Sequence, residues 1–430
     1  MTQQVDVIIV GAGMVGAALA AGLGQSGFEV ALVDRQPPSD WLGEDAPDLR
    51  VSALSAGTET YLRRLGVWSA MADMRLTPYR RLAVRDDTRH PLSGLLPRAR
   101  GETVFDSRDI GRPHLGHIVE NAVTLQALQS AAMNAPGVTG YFGVSPDALA
   151  QTGKGAVLTL DDGSPIEGTL VVGADGAGSR VRDLAGIATH RDQYAQQALV
   201  ASVRYDGPPQ DITWQAFHPS GPRAFLPLHA SQDGGSWASL VWYDHPETLS
   251  RLKQLDAEGF LAAVQSAFPD ELPRLTALGG RGSFPLARQH AQRYHHRGVV
   301  LVGDAAHTIN PLAGQGVNLG FQDAEALQSR LINARWQGLS LADTAILDDY
   351  EAERRPANRR MMLAMDVFYH AFSNRLPPLH LARNLGLALA DRVPLAKQTV
   401  ARYAMGIDER LPEPLARALE KLPGQRLSTH

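Results

Sequence analysis

Near its start the chain carries a short apolar, largely β-branched run, Val5 to Val10, followed by a glycine-rich turn and a helical pattern from Met14 to Gln25. A run of this kind belongs to a strand buried on both faces of a parallel sheet. Glu29 to Asp34 reads as a second strand, so this region predicts a βαβ unit whose right-handed crossover lays helices against the sheet. Leu170 to Ala174 and Val299 to Gly303 predict further strands of that sheet, each ending in Gly and Asp residues. A different pattern fills the interval between them. Gln196 to Tyr205, Thr213 to His218, Arg223 to Leu228 and Ser236 to Trp242 alternate or run apolar with Gly and Pro between, as in an antiparallel sheet. Pro246 to Phe268 predicts a helix covering that sheet. Beyond Gly314, Leu327, Leu331 and Ile332 fall at helical spacing, with further helices expected through Met405 and a Pro-interrupted tail from Leu411 to His430.

The expected fold class is therefore α/β: a Rossmann-like domain with a parallel sheet, an inserted antiparallel-sheet substrate domain and a helical C-terminal region. The expected boundaries are 1–75, 105–185 and 280–370 for the discontinuous nucleotide-binding domain, 76–104 and 186–279 for the substrate domain, and 371–430 for the helical region and tail. With 430 residues and 44% hydrophobic content, such a chain can bury a sizeable core.

Charge and cysteine content narrow the chemistry. The net charge is −4 with both signs mixed, so there is no basic stripe to suggest nucleic acid. The absence of cysteine excludes thiolate nucleophiles, a CxxC redox disulfide and Cys-ligated metals or clusters. Redox chemistry would need a bound cofactor. The stretch from Val5 to Gly24 has no basic flank, contains Asp6 and is broken by glycines, so neither a signal peptide nor a membrane span is expected. A cytoplasmic chain is the expectation, with any membrane contact peripheral.

Three motifs carry the chemistry. In Gly11-Ala12-Gly13-Met14-Val15-Gly16, Gly11 permits the tight turn, Gly13 lets a pyrophosphate approach the helix N-terminus, and Gly16 allows close helix–strand packing. Asp34, ending the next strand, can accept hydrogen bonds from a ribose hydroxyl. The second motif runs from Gly173 through Asp175 to Arg182; by itself it is equally readable as an ordinary strand-to-helix turn. The third is Gly303-Asp304-Ala305-Ala306-His307, continued by Pro311 and Gly314-Gln315-Gly316-Val317-Asn318. An acid at a strand end followed by a Gly-rich helix start can hold ribityl hydroxyls, while the helix N-terminus sets its positive end beside a developing anion such as reduced flavin.

In this order the motifs resemble those of the aromatic-ring flavoprotein monooxygenases, whose model is para-hydroxybenzoate hydroxylase. The unbroken string from Gly303 to Gly320 is similar to the hallmark of the ubiquinone-biosynthesis branch. Similarity extends over Arg50 to Leu54, His117 to Asn121, Trp214 to Leu228, Trp237 to Asp244 and Phe372 to Arg392, essentially the whole chain before its tail. Gly221 to Leu228 and Phe372 to Pro378 resemble the members that hydroxylate a demethoxy polyprenyl quinol. The resemblance implies FAD held by Gly11, Gly13, Gly16, Asp34, Arg35, Arg50, Glu120, Asp175, Asp304, Pro311, Gly314, Gln315, Gly316, Val317 and Asn318. Within that set Asp175 is placed toward the pyrophosphate and Asp304 toward the ribityl chain. Asp34 stands where the family usually has Glu; the shorter acid can still reach a ribose.

The implied reaction uses NADH or NADPH as a transient reductant, since only one complete dinucleotide fingerprint is present, and transfers one oxygen atom of O2 through a C4a-hydroperoxyflavin to an electron-rich ring. The alternatives are hydroxylation of another ring position or another phenol, and a nonenzymatic flavin-binding scaffold within a biosynthetic assembly. His307 and Arg223 are the candidate catalytic residues, His307 equally readable as satisfying backbone or cofactor groups and Arg223 as either orienting substrate or pairing with a carboxylate. His114 and His117 precede a helix with no matching ligand pair, so no metal is expected. Trp214, Trp237 and Trp242 read as core residues that can also line a quinone pocket. A polyprenyl tail would need an apolar tunnel, for which the substrate sheet and the segment Leu379 to Leu389 are candidates.

Overall fold

Every residue of Val5 to Val10 except Asp6 is buried, because the strand that contains them has a neighbour on each side and a helix over its face. The computed structural model describes residues 3–41, 43–86, 102–152, 155–309 and 316–372, together with residues 398 and 402. The strand Gln3–Val10 pairs in parallel with Val30–Asp34 on one side and with Pro165–Gly173 on the other. The parallel order continues to Val138–Phe142 beyond the first neighbour and to Val299–Leu301 beyond the second. In this register Val10 lies opposite Gly173, and Gly173 opposite Leu301. Three segments remote in sequence thus finish side by side at the carboxyl edge of one sheet, where α/β folds bind nucleotides. Helix Met14–Gln25 is buried continuously from Gly16 to Gly24, packed between this sheet and helices Asn121–Asn134 and Gly316–Trp336. Its small residues let it fit there, and an apolar helix with no polar stripe has no other stable place.

The second sheet is built on two 17-residue strands, Thr189–Tyr205 and Leu275–Ala291, paired along almost their whole length. Ser236–Asp244, Arg223–Ala230, Ile212–Phe217, Arg81–Asp86 and Glu102–Asp106 follow in order. The sheet is antiparallel as expected, apart from the parallel pair Ile212–Phe217 and Arg81–Asp86. Thr189–Tyr205 begins earlier than its apolar pattern does. Its first half is polar, and the ladder to Leu275–Ala291 and the Arg288 to Asp192 ion pair (2.8 Å) hold it. Leu275–Ala291 has no clear strand pattern in sequence because Gly279, Gly280, Gly282 and Pro285 interrupt it. Two of the expected boundaries, at 105 and 280, fall inside strands of this sheet. The single helix expected over Pro246 to Phe268 is two, Pro246–Gln254 and Ala257–Ala267, because Asp256 caps the second by accepting from Gly259 N at 2.8 Å. A third, small sheet joins Val51–Ser55, Gly116–Glu120 and Thr77–Tyr79. The helices expected beyond Phe372 and the segment Leu379 to Leu389 lie outside the described residues.

The nucleotide sheet is tied to the C-terminal helices through one buried carboxylate. Asp323, on Gly316–Trp336, has no solvent exposure. Its Oδ2 accepts from Gly303 N (3.1 Å) and from His307 Nε2 (2.5 Å), and its Oδ1 from Arg354 Nε (2.8 Å) and Asn358 Nδ2 (3.0 Å). Arg354 and Asn358 lie on Thr344–Phe372, and Tyr350 on the same helix donates to Leu301 O at 3.0 Å. Burial alone would raise the Asp323 pKa, but His307 and Arg354 beside it hold the carboxyl at about 2. A folded pKa below the ordinary carboxylate value contributes stability that is complete above the unfolded pKa and is lost as pH falls through the folded one. Asp323→Asn is therefore expected to lower unfolding free energy by about 3–5 kcal/mol near neutral pH. In urea titrations the gap from wild type should narrow below about pH 4; a gap independent of pH would contradict this.

Candidate functional site

The three glycine-containing motifs form one structure. Gly11 has φ +105°, and a Cβ there would lie 2.3 Å from the carbonyl oxygen of Ala174. A Cβ on Gly16 would lie 1.9 Å from Gly11 O, so helix Met14–Gln25 can start this close to the strand only with glycine at both positions. Ala174 N donates to Val10 O at 2.8 Å and Val302 N to Gly173 O at 3.0 Å, which joins the first motif to the second and the second to the third. Arg182, at the end of the second motif, donates from Nη1 to both Ala177 O and Ala305 O at 3.1 Å.

The edge so formed fits a dinucleotide. A Cβ on Gly13 would meet nothing within 4 Å, and this residue begins the helix with no side chain capping it. Open space in front of unsatisfied helix N–H groups is what a pyrophosphate requires. Asp34 is half-buried; its Oδ2 accepts from Ala12 N (2.6 Å) and its Oδ1 from Gln36 N (2.8 Å), so the carboxylate shapes the glycine turn and retains lone pairs for a hydroxyl. Arg35 is exposed. Asp304 is solvent-exposed, yet burial is the main cause that raises its pKa, with His307 and Arg50 opposing. Arg50, also exposed, is thereby placed in the electrostatic neighbourhood of Asp304.

Other members of the set brace the edge from inside. Asp175 accepts from Ser179 Oγ (2.5 Å) and Val181 N (3.1 Å), and burial raises its pKa. Glu120 accepts from Asp48 N (2.7 Å) and pairs with Arg75 (3.3 Å), while Asn121 N donates to Arg50 O (2.9 Å), so the start of helix Asn121–Asn134 grips the backbone around Arg50. Burial pushes the Glu120 carboxyl up. Asn318 Oδ1 accepts from Ser55 N (3.0 Å) and Thr58 Oγ1 (2.8 Å), and its Nδ2 donates to Ala53 O (2.8 Å). Gly316 and Val317 open their helix half-buried; Pro311, Gly314 and Gln315 lie outside the described residues.

The surroundings of both candidate catalytic residues give each a packing role. His307 is 1% exposed and commits Nε2 to Asp323, so it anchors the third motif instead of facing a reactant with that nitrogen. Arg223 is buried, stacks over Trp242 at 5.0 Å and donates to Ala267 O, which places it in the packing between the second sheet and its helices. The tryptophans are core: Trp214 stacks on Phe225 (5.7 Å), Trp242 meets Phe268 edge-on (5.6 Å), and Trp237 Nε1 donates to Asp45 (2.9 Å). Residues missed in sequence include Gln129, which donates to Ala12 O at 2.7 Å and accepts from Ser39 N at 2.6 Å, and Asp323. An acid at the same helical spacing as Leu319, Leu327 and Leu331 is the signal that could have marked Asp323. The view that His114 and His117 lack a matching ligand is also corrected, because Glu59 joins them. Burial is the main cause lowering the His117 pKa to about 4, while hydrogen bonds from His114 and Arg63 outweigh burial and lower that of Glu59.

Two substitutions separate the cradle from the fold. Gly13→Glu sends its side chain into open space, so the chain should fold but purify without flavin; retention of stoichiometric FAD would reject the assignment. Asp304→Ala should weaken FAD by about 1–3 kcal/mol, about 5- to 150-fold in Kd, measured by flavin fluorescence titration; unchanged affinity would contradict the ribityl role.

Comparison with known proteins bears directly on this edge. The family model described as FAD binding domain matches residues 4–364. The chain is 44% identical over 406 residues to 3-demethoxyubiquinol 3-hydroxylase of Escherichia coli (strain K12), covering 94% of this chain and 99% of that one. It is 35% identical over 409 residues to the ubiquinone hydroxylase UbiL of Rhodospirillum rubrum, covering 95% and 91%. Among solved structures, p-nitrophenol 4-monooxygenase PnpA from Pseudomonas putida DLL-E4 shares the fold with a TM-score of 0.77 at 18% identity, over 95% of this chain and 100% of that one. With the flavin motifs joined at one sheet edge and the likeness running the length of its relatives, this chain belongs to the FAD-dependent aromatic-ring monooxygenases, in the branch that contains the ubiquinone-biosynthesis hydroxylases.

Proposed function

We propose that this enzyme hydroxylates the ring of a demethoxy polyprenyl quinol with O2 and NADH or NADPH. The observation that carries this reading is the 44% identity to a demethoxyubiquinol hydroxylase over 94% of this chain and 99% of the relative. The same reading assigns residues 1–75, 105–185 and 280–370 to the FAD-binding domain, and 76–104 with 186–279 to the substrate domain.

Bound FAD supplies the activation of O2 and the transfer of one oxygen atom to a ring carbon. The chain's own residues hold and charge the site. The helix N-terminus at Gly13 offers backbone N–H groups to the pyrophosphate, and Asp34 accepts from a ribose hydroxyl. Asp304 accepts from the ribityl hydroxyls, while Arg50 beside it supplies positive charge. Pro311, Gly314 and Gln315 belong to the same proposed set with Gly316, Val317 and Asn318, in which the start of helix Gly316–Trp336 would offer its positive end to a reduced, anionic flavin. Glu120, Asp175 and Arg35 complete it, the first two through the backbone and side chains they brace.

The substrate must be the quinol, because electrophilic oxygen transfer needs a ring activated by oxygen substituents. Its tail favours work at a membrane surface or beside partner enzymes, since each CH2 exposed to water costs about 0.8 kcal/mol. Among the described residues no helix is long and apolar enough to cross a membrane. The test supplies the demethoxy quinol, reduced nicotinamide and 18O2. One labelled oxygen at the unsubstituted ring position is expected; oxygen consumed only as peroxide, with an earlier ring intermediate hydroxylated instead, would overturn the position assigned.

A further inference from the structure

We propose that Glu59, His114 and His117 form a site for one divalent transition-metal ion of the zinc class. Glu59 comes from helix Ala56–Arg64, His114 from the turn before strand Gly116–Glu120, and His117 from that strand. One ligand atom of each lies within 4.8 Å of the others. His114 Nε2 and His117 Nδ1 converge on the same oxygen, Glu59 Oε2, at 2.8 Å and 3.4 Å. Ligands of a tetrahedral zinc ion, at 2.0–2.1 Å from the metal, stand about 3.3 Å apart. Both carboxylate–imidazole edges are therefore within about 0.5 Å of that spacing.

The second observation is an orphan. His117 is 7% exposed, and its buried Nδ1 makes no hydrogen bond. A buried ring nitrogen that makes no hydrogen bond, 3.4 Å from a carboxylate oxygen that a second imidazole also approaches, is free to take an ion as its partner. The surroundings fix the ligands as metal sites do. Arg63 takes the other carboxylate oxygen, Oε1, at 2.9 Å, which leaves Oε2 to the imidazoles. Trp68 packs edge-on against His117 at 4.9 Å, and Arg63 lies over Trp68 at 5.0 Å. The His114 side chain is 21% exposed, so an ion can enter and a water can complete the coordination. Two nitrogens and one oxygen suit zinc-like ions and not calcium or magnesium, which take oxygen ligands. The ion would pin helix Ala56–Arg64 to the small sheet, whose first strand starts directly after Arg50. This inference is independent of the substrate proposed above.

The test uses full-length, FAD-loaded protein stripped with a chelator, then titrated with Zn2+ by calorimetry and with Co2+ by visible absorption. One equivalent should bind, with a Co2+ spectrum of tetrahedral nitrogen and oxygen coordination. His114→Ala and Glu59→Gln should each weaken binding by more than about 10-fold while retaining flavin. If Glu59→Gln loses flavin, His114→Ala, at the most exposed of the three ligands, carries the test. No binding, or binding that flavin-retaining variants leave unchanged, would overturn the site and leave a simple hydrogen-bonded His–Glu pair.

Discussion

A carboxylate removed from water must be matched by donors on every side, and Asp323 meets that constraint with groups from two separate stretches of chain. Gly303 N and His307 belong to the third flavin motif, and Arg354 and Asn358 to the following long helix. Losing any one leaves charge or a polar group unmatched in the interior, so the arrangement tolerates little variation. What it fixes is the position of Asp304, one residue beyond Gly303. The acid proposed to hold the ribityl chain is thus positioned through a carboxylate that has no solvent exposure of its own.

The remaining geometry of the cradle follows from close backbone approach. Gly11 and Gly16 let strand and helix meet without side chains between them, and Gly13 leaves the resulting N-terminus open. Arg182 ties the second motif to the third, while Glu120 and Asn121 grip the segment carrying Arg50. In the proposed cradle, binding and charge placement fall to backbone held by close packing, which suits chemistry belonging to the cofactor.

This division explains what could be read from sequence. The βαβ unit and the three motifs were legible because their glycines and strand-end acids encode local backbone requirements. The strands around Trp214 and Trp242 were legible from their apolar pattern. Leu275–Ala291 was not, since glycine and proline disguise a strand whose stability comes from its long partner. Roles set by distant partners were also hidden. Arg223 and His307 looked available for chemistry until Trp242 and Asp323 were found against them. Glu59 joins two histidines 55 and 58 residues away in sequence, a relation that no local spacing announces.

If the buried network fixes Asp304, disturbing Asp323, which has no solvent exposure, must be felt in the affinity for the cofactor. The direct measurement is the Kd for FAD of Asp323→Asn against wild type near neutral pH, with circular dichroism confirming that the variant is folded. Affinity should be weaker by about 10-fold or more, equivalent to about 1.4 kcal/mol. Wild-type affinity in a folded Asp323→Asn variant would contradict the role assigned to that carboxylate.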